Sequence, residues 1–337
     1  MPSVRRTGRP SRRPSCWGTV SALCEAPRGA GSLREFSVPP LATAPRVGGL
    51  ADAVFDHAGS DPDRVALARK DAAGQWRDVT SAEFRDEVLA LAKGLLAQGV
   101  RFGDRVGIMS RTRYEWTLFD FALWSVGAQP VPLYPTSSAE QVHWMLHDAG
   151  VTACMVEHED HAMTVGSVID RLPQLRRLWQ LDTDPVAELT AAGAHLEDEV
   201  VHRHRMAVTP DATATVIYTS GTTGRPKGCV ISHANFMAEA DNVVQRYETV
   251  FHSKPGDEAS TLLFLPLAHV FGRMVQVAAV RGRVKLGHQP SCPPPPCSPT
   301  SSPSGRASSS PCRTSSRRSS RRPAQGRGGG PARAVRE

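Results

Sequence analysis

The stretch TATVIYTSGTTGRPKG, residues 213–228, carries the strongest structural signal in the chain. Its first six residues are mostly β-branched or aromatic, a pattern that predicts a buried β-strand. The next ten contain three glycines and four Ser or Thr residues and end in Pro-Lys-Gly. Glycine lets a backbone turn tightly and approach a ligand closely. The stretch therefore predicts a strand that runs directly into a binding loop.

The composition of this loop fits an anionic ligand. Backbone N–H groups in a glycine-rich turn and Ser/Thr hydroxyls donate to phosphate oxygens, and Lys227 adds a compact positive charge. The loop is not a Walker A sequence, because Arg225 and Pro226 separate Gly224 from Lys227. A plain Gly/Thr surface loop is the alternative. The residues predicted to cradle a triphosphate are Thr219, Ser220, Gly221, Thr222, Thr223, Gly224 and Lys227.

On both sides of this stretch, between residues 47 and 288, short apolar runs alternate with amphipathic helical patterns. Such alternation is typical of an α/β fold with a largely parallel sheet. We therefore predict an α/β domain in which parallel-rich sheets are layered with helices, flanked by disordered ends. The predicted strands cover residues 65–68, 105–109, 130–134, 151–156, 177–181, 213–218 and 261–265, and residues 229–231 form a further short apolar run.

Capping residues mark three helix starts. Thr80 with Glu83, and Ser138 with Gln141, match the capping-box pattern, and Ser232 is a predicted N-cap. Three acidic residues that fall on helical stretches are expected to lie at the surface or to cap helix ends: Glu115, Asp120 and Asp148.

The net charge of the 337-residue chain is +7, but it is unevenly distributed. Residues 1–35 carry +5 and residues 289–337 carry +8, which leaves −6 for residues 36–288. A mildly acidic central region gives no reason to expect nucleic acid or an anionic membrane as partner. We predict an Arg-rich disordered extension over 1–35, a partial nucleotide-binding domain over 36–288 and a disordered Pro/Ser/Arg tail over 289–337.

Cysteine usage indicates a reducing compartment. Of seven cysteines, only Cys154 and Cys229 lie in the central region, and the chain has no Cys-x-x-Cys pair and no Cys/His zinc spacing. A lone cysteine in an apolar run is usually a small core residue. No stretch approaches the ~20 apolar residues of a membrane span. We predict a cytoplasmic protein without structural disulfides or a zinc site.

Four motifs carry a resemblance to a known family. Residues 218–228 resemble the phosphate-binding signature of the AMP-dependent synthetase and ligase superfamily, the adenylate-forming enzymes. Residues 265–273, LPLAHVFGR, resemble the second signature of that superfamily. Two further stretches, SRTRYEW at 110–116 and GAQPVPLYPTS at 127–137, resemble the long-chain-fatty-acid–CoA ligases within it. The resemblance extends over residues 36–290.

The resemblance implies two half-reactions. A fatty-acid carboxylate attacks the α-phosphate of ATP and gives an acyl-adenylate and pyrophosphate, and the thiol of coenzyme A then displaces AMP. Because the attack joins two anions, it needs charge neutralisation and positioning. The implied ligands are a fatty acid, ATP, Mg²⁺ and coenzyme A, with a peripheral membrane contact for the lipid substrate and no specific nucleic acid.

The resemblance also assigns roles to residues. Residues 219–224 and Lys227 match positions expected to hold the β- and γ-phosphates, and Thr222 or Thr223 would contact Mg²⁺. His269 matches a position that lines the acyl-adenylate pocket. A helix-packing histidine beside Phe271 is the alternative for that residue.

Several parts of the family pattern have no match. We find no aromatic-Gly-x-Thr-Glu string, no Thr-Gly-Asp and no C-terminal domain with its catalytic lysine, so no catalytic residue is assigned. The family-like sequence stops near Pro290, and an out-of-frame reading of GC-rich DNA would explain the abrupt change in composition. We therefore expect little or no ligase activity from this chain alone. An unfinished second sheet would also expose an apolar face and an unpaired edge.

Three other interpretations were weighed. The chain could adenylate a carboxylic acid that is not a fatty acid. The Arg/Ser tail could bind RNA, although residues 289–337 contain no aromatic side chain on which a base could stack. Residues 158–161, His-Glu-Asp-His, could suggest metal ligands, but a solvated polar loop is the favoured interpretation because no supporting His or Cys spacing accompanies them.

Overall fold

Strands and helices alternate along the chain as the sequence predicts. The computed structural model describes residues 39–43, 45, 47–219, 225–248 and 259–290. The predictions for residues 1–35, 220–224 and 291–337 fall outside these ranges. The described part contains β-strands and α-helices in a mixed α/β arrangement with parallel sheets, which confirms the predicted fold class.

The element bounds are as follows. The strands are β1 Val65–Lys70, β2 Trp76–Thr80, β3 Arg105–Met109, β4 Gln129–Leu133, β5 Ala153–Val156, β6 Arg177–Gln180, β7 Thr213–Thr219, β8 Lys227–Ser232, β9 Ser260–Leu263 and β10 Lys285–His288. The α-helices are α1 Asp52–Ser60, α2 Ser81–Ala97, α3 Tyr114–Ser125, α4 Ala139–Asp148, α5 Glu159–Gly166, α6 Pro185–Gly193, α7 Asp198–Met206, α8 His233–Arg246 and α9 Val270–Arg281.

The strands form two four-stranded sheets and one hairpin. One sheet has the order β4-β3-β5-β6 and is parallel throughout. The other has the order β2-β1-β10-β9, in which only the β1–β2 pair is antiparallel. Strands β7 and β8 form a separate antiparallel pair. The prediction omitted β2 and β10, because β2 is mostly exposed and β10 contains a single aliphatic residue, Leu286.

The parallel sheet separates two apolar cores because side chains alternate across a strand. Val106 and Ile108 of β3 face a large cluster that also contains residues of α2, α3, α8 and α9 and of the other four-stranded sheet. Met109 faces a second cluster, which contains residues of α4, α5 and β7. One strand therefore supports both layers of helices.

The predicted helix starts are confirmed. Thr80 and Glu83 form a reciprocal capping box at the start of α2, and Ser138 and Gln141 form another at the start of α4. Ser232 caps α8 together with Asn235. Each box satisfies backbone N–H groups that the first helical turn leaves without an acceptor.

The prediction that Asp120 lies at the surface is wrong. Asp120 is fully buried on α3, where Oδ1 accepts a 2.8 Å hydrogen bond from Nη2 of the equally buried Arg273 on α9. Gln276 donates to the other carboxylate oxygen over 2.9 Å. Burial raises the pKa of Asp120 although Arg273 opposes the shift, and burial lowers the pKa of Arg273. The pair therefore joins α3 to α9 at a considerable desolvation cost.

No helix in the described part of the chain combines the length and the apolarity that crossing a membrane requires.

Candidate functional site

The β7–β8 hairpin places the two ends of the predicted phosphate loop beside each other. Thr219, the last residue of β7, pairs with Lys227, the first residue of β8. Five of the seven residues of β7 are buried, whereas β8 has none that is buried. The inner strand is thus anchored in the core, and the outer strand leaves Lys227 exposed to solvent.

Two side chains fasten β7 to the core. The indole Nε1 of Trp124 on α3 donates a 2.8 Å hydrogen bond to the carbonyl of Ala214. The hydroxyl of Thr215 donates over 2.6 Å to the carbonyl of Pro130 on β4. Both bonds are buried, where an unpaired carbonyl is costly. The two hydrogen bonds therefore fix the position of β7 relative to α3 and β4.

The second signature, residues 265–273, forms a turn and the first helical turn of α9. The hydroxyl of Thr112 donates a 2.6 Å hydrogen bond to the carbonyl of Leu265 and holds the start of the turn. A Cβ atom on Gly272 would lie 2.4 Å from the carbonyl oxygen of Pro266, so the close approach of helix and turn requires glycine. Leu267 and Ala268 are buried and anchor the turn.

His269 lies at the N-cap of α9 and is exposed. Its ring Nδ1 accepts a 3.2 Å hydrogen bond from the backbone N–H of Phe271. An imidazole nitrogen that accepts is unprotonated, so the neutral ring carries its hydrogen on Nε2 as a donor. The alternative of a helix-packing histidine beside Phe271 is not what the structure has, because His269 caps the helix and is not buried in it.

The two signatures meet at one cleft of about 390 Å³. Thr219 and Pro226 border it from the hairpin, and Ala268, His269 and Val270 border it from the α9 turn. Residues that are some fifty positions apart in sequence thus share one opening. The remaining lining residues come from the β4–α4 connection, from α4 and from the hairpin strands: Tyr134, Ser137, Gln141, Met145, Ile217, Tyr218, Cys229 and Ile231.

The predicted site residues divide into two groups. Thr219 and His269 line the cleft, and Lys227 follows Pro226, which also lines it. Ser220, Gly221, Thr222, Thr223 and Gly224 lie outside the described residues. The phosphate-binding role of residues 219–224 and the magnesium contact of Thr222 or Thr223 therefore stay predictions.

Sequence reasoning missed several cleft residues. Tyr134 and Ser137 belong to a family-like stretch, but nothing in their spacing indicated that they border a cleft. Cys229 was expected in the core by its apolar neighbours, yet it is exposed and its Sγ lies 3.9 Å from the Thr219 hydroxyl. Cys154 follows the expectation: it is buried, and burial raises the pKa of its thiol to about 12.

The cleft lining offers no strong metal site. Its described residues provide hydroxyl, amide, imidazole, thiol and thioether groups but no carboxylate, whereas Mg²⁺ is usually held by one or two carboxylates and by substrate phosphates. An ion that arrives with a nucleotide would depend mainly on the phosphate oxygens.

Residues 158–161 are not the predicted polar loop. Helix α5 begins at Glu159, and His161 is buried and stacks on His158 with ring centroids 3.9 Å apart. Glu157, His158 and His161 each place one potential ligand atom within 4.8 Å of the others. However, both Glu157 oxygens already accept hydrogen bonds from Arg111 at 2.8 Å, one from Nη2 and one from the backbone N–H. A cation would compete with this ion pair, so the arrangement favours a structural role.

Comparison with known proteins decides the family. The family model described as "AMP-binding enzyme" matches residues 54–296. The chain belongs to the AMP-binding enzyme family. Long-chain-fatty-acid–CoA ligase FadD15 of Mycobacterium tuberculosis is 40% identical over 258 residues, which cover 76% of this chain and 42% of that protein. Long chain acyl-CoA synthetase 6, peroxisomal, of Arabidopsis thaliana is 30% identical over 64% of this chain and 31% of its own length.

Solved structures of the AMP-binding enzyme family share the fold. A long-chain-fatty-acid-CoA ligase, FadD1, from Archaeoglobus fulgidus matches with a TM-score of 0.63 and 20% identity, over 76% of this chain and 49% of that chain. The o-succinylbenzoate CoA synthetase MenE from Bacillus subtilis, in complex with the acyl-adenylate OSB-AMP, matches with a TM-score of 0.58 and 23% identity, over 74% of this chain and 57% of that one. This chain spans about two fifths of the length of FadD15.

Proposed function

We propose that the cleft binds the phosphate end of ATP and that this AMP-binding region serves the activation of a long-chain fatty acid. The overall reaction would form an acyl-adenylate with release of pyrophosphate and then an acyl-CoA with release of AMP. The 40% identity to a long-chain-fatty-acid–CoA ligase supports the fatty-acid substrate and coenzyme A as acyl acceptor. The predicted compartment is cytoplasmic, with peripheral membrane contact for a lipid substrate.

One observation carries the proposal: two separate signatures border the same cleft. Lys227 would neutralise phosphate charge, and the residues predicted as its partners are Thr219, Ser220, Gly221, Thr222, Thr223 and Gly224. His269 would donate from Nε2 to the acyl-adenylate. A charge-assisted hydrogen bond is stronger than a neutral one, so Lys227 should contribute the largest share of affinity among these side chains.

The test is Mg-ATP binding to the full chain, measured by isothermal titration calorimetry. A hydrogen bond to a charged group contributes about 1.5–3 kcal/mol, so Lys227→Ala should weaken binding about 10- to 100-fold. Lys70→Ala is a matched control, because Lys70 is an exposed lysine on β1 outside the cleft lining. Equal affinities for the wild type and Lys227→Ala would refute the assignment of this loop.

The complete reaction is proposed for the whole enzyme, because this chain spans 42% of the length of FadD15. Pyrophosphate release with palmitate, ATP and Mg²⁺ tests the first half-reaction. A protein that binds Mg-ATP and releases no pyrophosphate with any acid would contradict the proposed activation step. Testing a panel of carboxylic acids in the same assay separates a fatty-acid substrate from another acid.

A further inference from the structure

Helix α4 contacts both ends of the loop between β7 and β8. At the N-terminal end of the loop, the hydroxyl of Tyr218 donates a 2.6 Å hydrogen bond to Oδ2 of Asp148, the last residue of α4. At the C-terminal end, Nε1 of Trp144 donates a 2.8 Å hydrogen bond to the carbonyl of Pro226. One rigid helix therefore holds both ends of a loop predicted to bind phosphate.

Trp144 makes a second contact with the C-terminal end. The guanidinium carbon of Arg225 lies 4.6 Å from the centroid of the Trp144 ring, within the range of a cation–π interaction. The two contacts involve Arg225 and Pro226, which are consecutive and directly precede Lys227. Proline has no backbone N–H, so at Pro226 the carbonyl is the only backbone group that can form a hydrogen bond.

Helix α4 is itself well fixed. Its first turn is closed by the Ser138–Gln141 capping box, and Val142, Met145 and Leu146 are buried against the parallel sheet. Val216 and Tyr218 of β7 belong to the same apolar cluster. The helix that carries Trp144 and the strand that leads into the loop thus share one packed support.

We infer that Trp144 is a positioning residue: its indole N–H and ring hold Arg225 and Pro226 so that the adjacent Lys227 presents its ammonium group to the phosphates of ATP. The inference rests on the proposed function and adds a residue to it. Trp144 does not line the cleft and is not expected to touch the nucleotide. Its effect should fall on the β- and γ-phosphates and leave adenosine recognition unchanged.

The decisive variant is Trp144→Phe, which retains an aromatic ring for Arg225 and removes the N–H donor. A net hydrogen bond of about 0.5–1.5 kcal/mol corresponds to a roughly 2- to 10-fold weaker Mg-ATP affinity. AMP affinity, measured in the same calorimeter, should change less than about twofold, because AMP lacks the outer phosphates. Trp76→Phe is the matched control: Trp76 is a partly exposed tryptophan on β2 that also has a cation–π partner, Lys70, at 5.1 Å.

Limited trypsin digestion supplies a readout that needs no nucleotide. Trypsin does not cut the bond between Arg225 and Pro226, so cleavage after Lys227 reports local opening of the hairpin. Trp144→Phe should accelerate that cut, identified by mass spectrometry, and leave the thermal unfolding midpoint near that of the wild type. Trp76→Phe should leave the cleavage rate unchanged.

The outcomes separate the two claims. Selective loss of ATP affinity together with faster cleavage after Lys227 supports the positioning role. If ATP and AMP affinities are both unchanged, or fall by the same factor, the positioning role is refuted, and so it is if the cleavage rate does not change. If the wild-type protein binds no Mg-ATP, the proposed function is refuted. Faster cleavage of Trp144→Phe would in that case still show that Trp144 stabilises the hairpin at Arg225 and Pro226.

Discussion

Helix α3 and the β7–β8 hairpin lie close together but obtain their support in different ways. Eleven of the twelve residues of α3 are buried, so the helix is enclosed on all sides. Strand β8 has no buried residue, and Val230 is 63% exposed. Apart from the contacts of Trp144 with Arg225 and Pro226, the hairpin is supported mainly through β7. Substitutions in α3 should therefore change stability, and those on the outer hairpin strand should change ligand binding.

The largest expected effect lies at α3. Asp120→Ala leaves Arg273 as an unpaired cation in the core, and breaking a buried ion pair costs about 3–5 kcal/mol. The free energy of unfolding, from urea titration, should fall by that amount. The control is Glu140→Ala, which removes the exposed pair of Glu140 and Arg171 and should cost less than about 1 kcal/mol. Similar losses of unfolding free energy in the two variants would contradict the expected difference between a buried and an exposed ion pair.

Acidification should lower the stability of the fold through His233, which lies at the start of α8 next to the hairpin. His233 is buried, and its Nδ1 accepts a hydrogen bond from the Leu50 N–H. Burial lowers its pKa to about 4, although Asp52 opposes the shift. An unfolded histidine takes up its proton near pH 6.5. Between these two values only the unfolded state binds the proton, so stability falls as the pH drops.

The measurement compares unfolding free energies at pH 7 and pH 4. His233 should account for a loss on the order of 2–3 kcal/mol in the wild type, and His233→Gln should lose that much less on acidification. His147→Gln, at an exposed histidine on α4, is the control and should behave as the wild type. If His233→Gln loses as much unfolding free energy between pH 7 and pH 4 as the wild type, His233 is not the source of that loss.

A smaller effect is expected where β7 meets β4. Thr215→Val keeps the shape of the side chain and removes its hydrogen bond to Pro130, which should cost about 1–2 kcal/mol. Thr164→Val is the control, since the Thr164 hydroxyl bonds to the Asp160 carbonyl at an exposed position on α5. Differential scanning calorimetry should show a lower midpoint for Thr215→Val only. A larger drop in the unfolding midpoint of Thr164→Val than of Thr215→Val would contradict this prediction.

The smallest effect is expected on the open side of the hairpin. Val230→Thr changes an exposed residue of β8 and should alter stability by less than about 0.5 kcal/mol. The matched change on the inner strand, Val216→Thr, buries a hydroxyl and should cost at least about 1 kcal/mol. Equal urea midpoints for the two variants would mean that both strands are equally supported.

Local sequence signals predicted much of the framework. Strand β3 has the predicted bounds because its apolar run is uninterrupted, and both capping boxes form because all their contacts lie within four residues. Asp120 was misjudged for the opposite reason. Its partner Arg273 is 153 positions away, and no local pattern distinguishes a buried acid on a helix from an exposed one.

The candidate site was predicted only in part. Thr219 and His269 were predicted because each lies in a signature of recognisable composition. The structure places both at one cleft, and their binding roles stay predictions. Trp144 was not singled out, because its contacts with Arg225 and Pro226 depend on how α4 packs against the hairpin. Side chains that support a loop from another element leave no spacing signal in the sequence.

The Asp120–Arg273 pair also constrains how this domain can evolve. A guanidinium in a protein remains protonated, so Arg273 cannot become neutral if its partner is lost. A lineage that replaced either residue alone would pass through a poorly folded intermediate. Positions 120 and 273 should therefore vary together among homologues, typically through a paired replacement by two apolar side chains, although neither side chain lines the cleft.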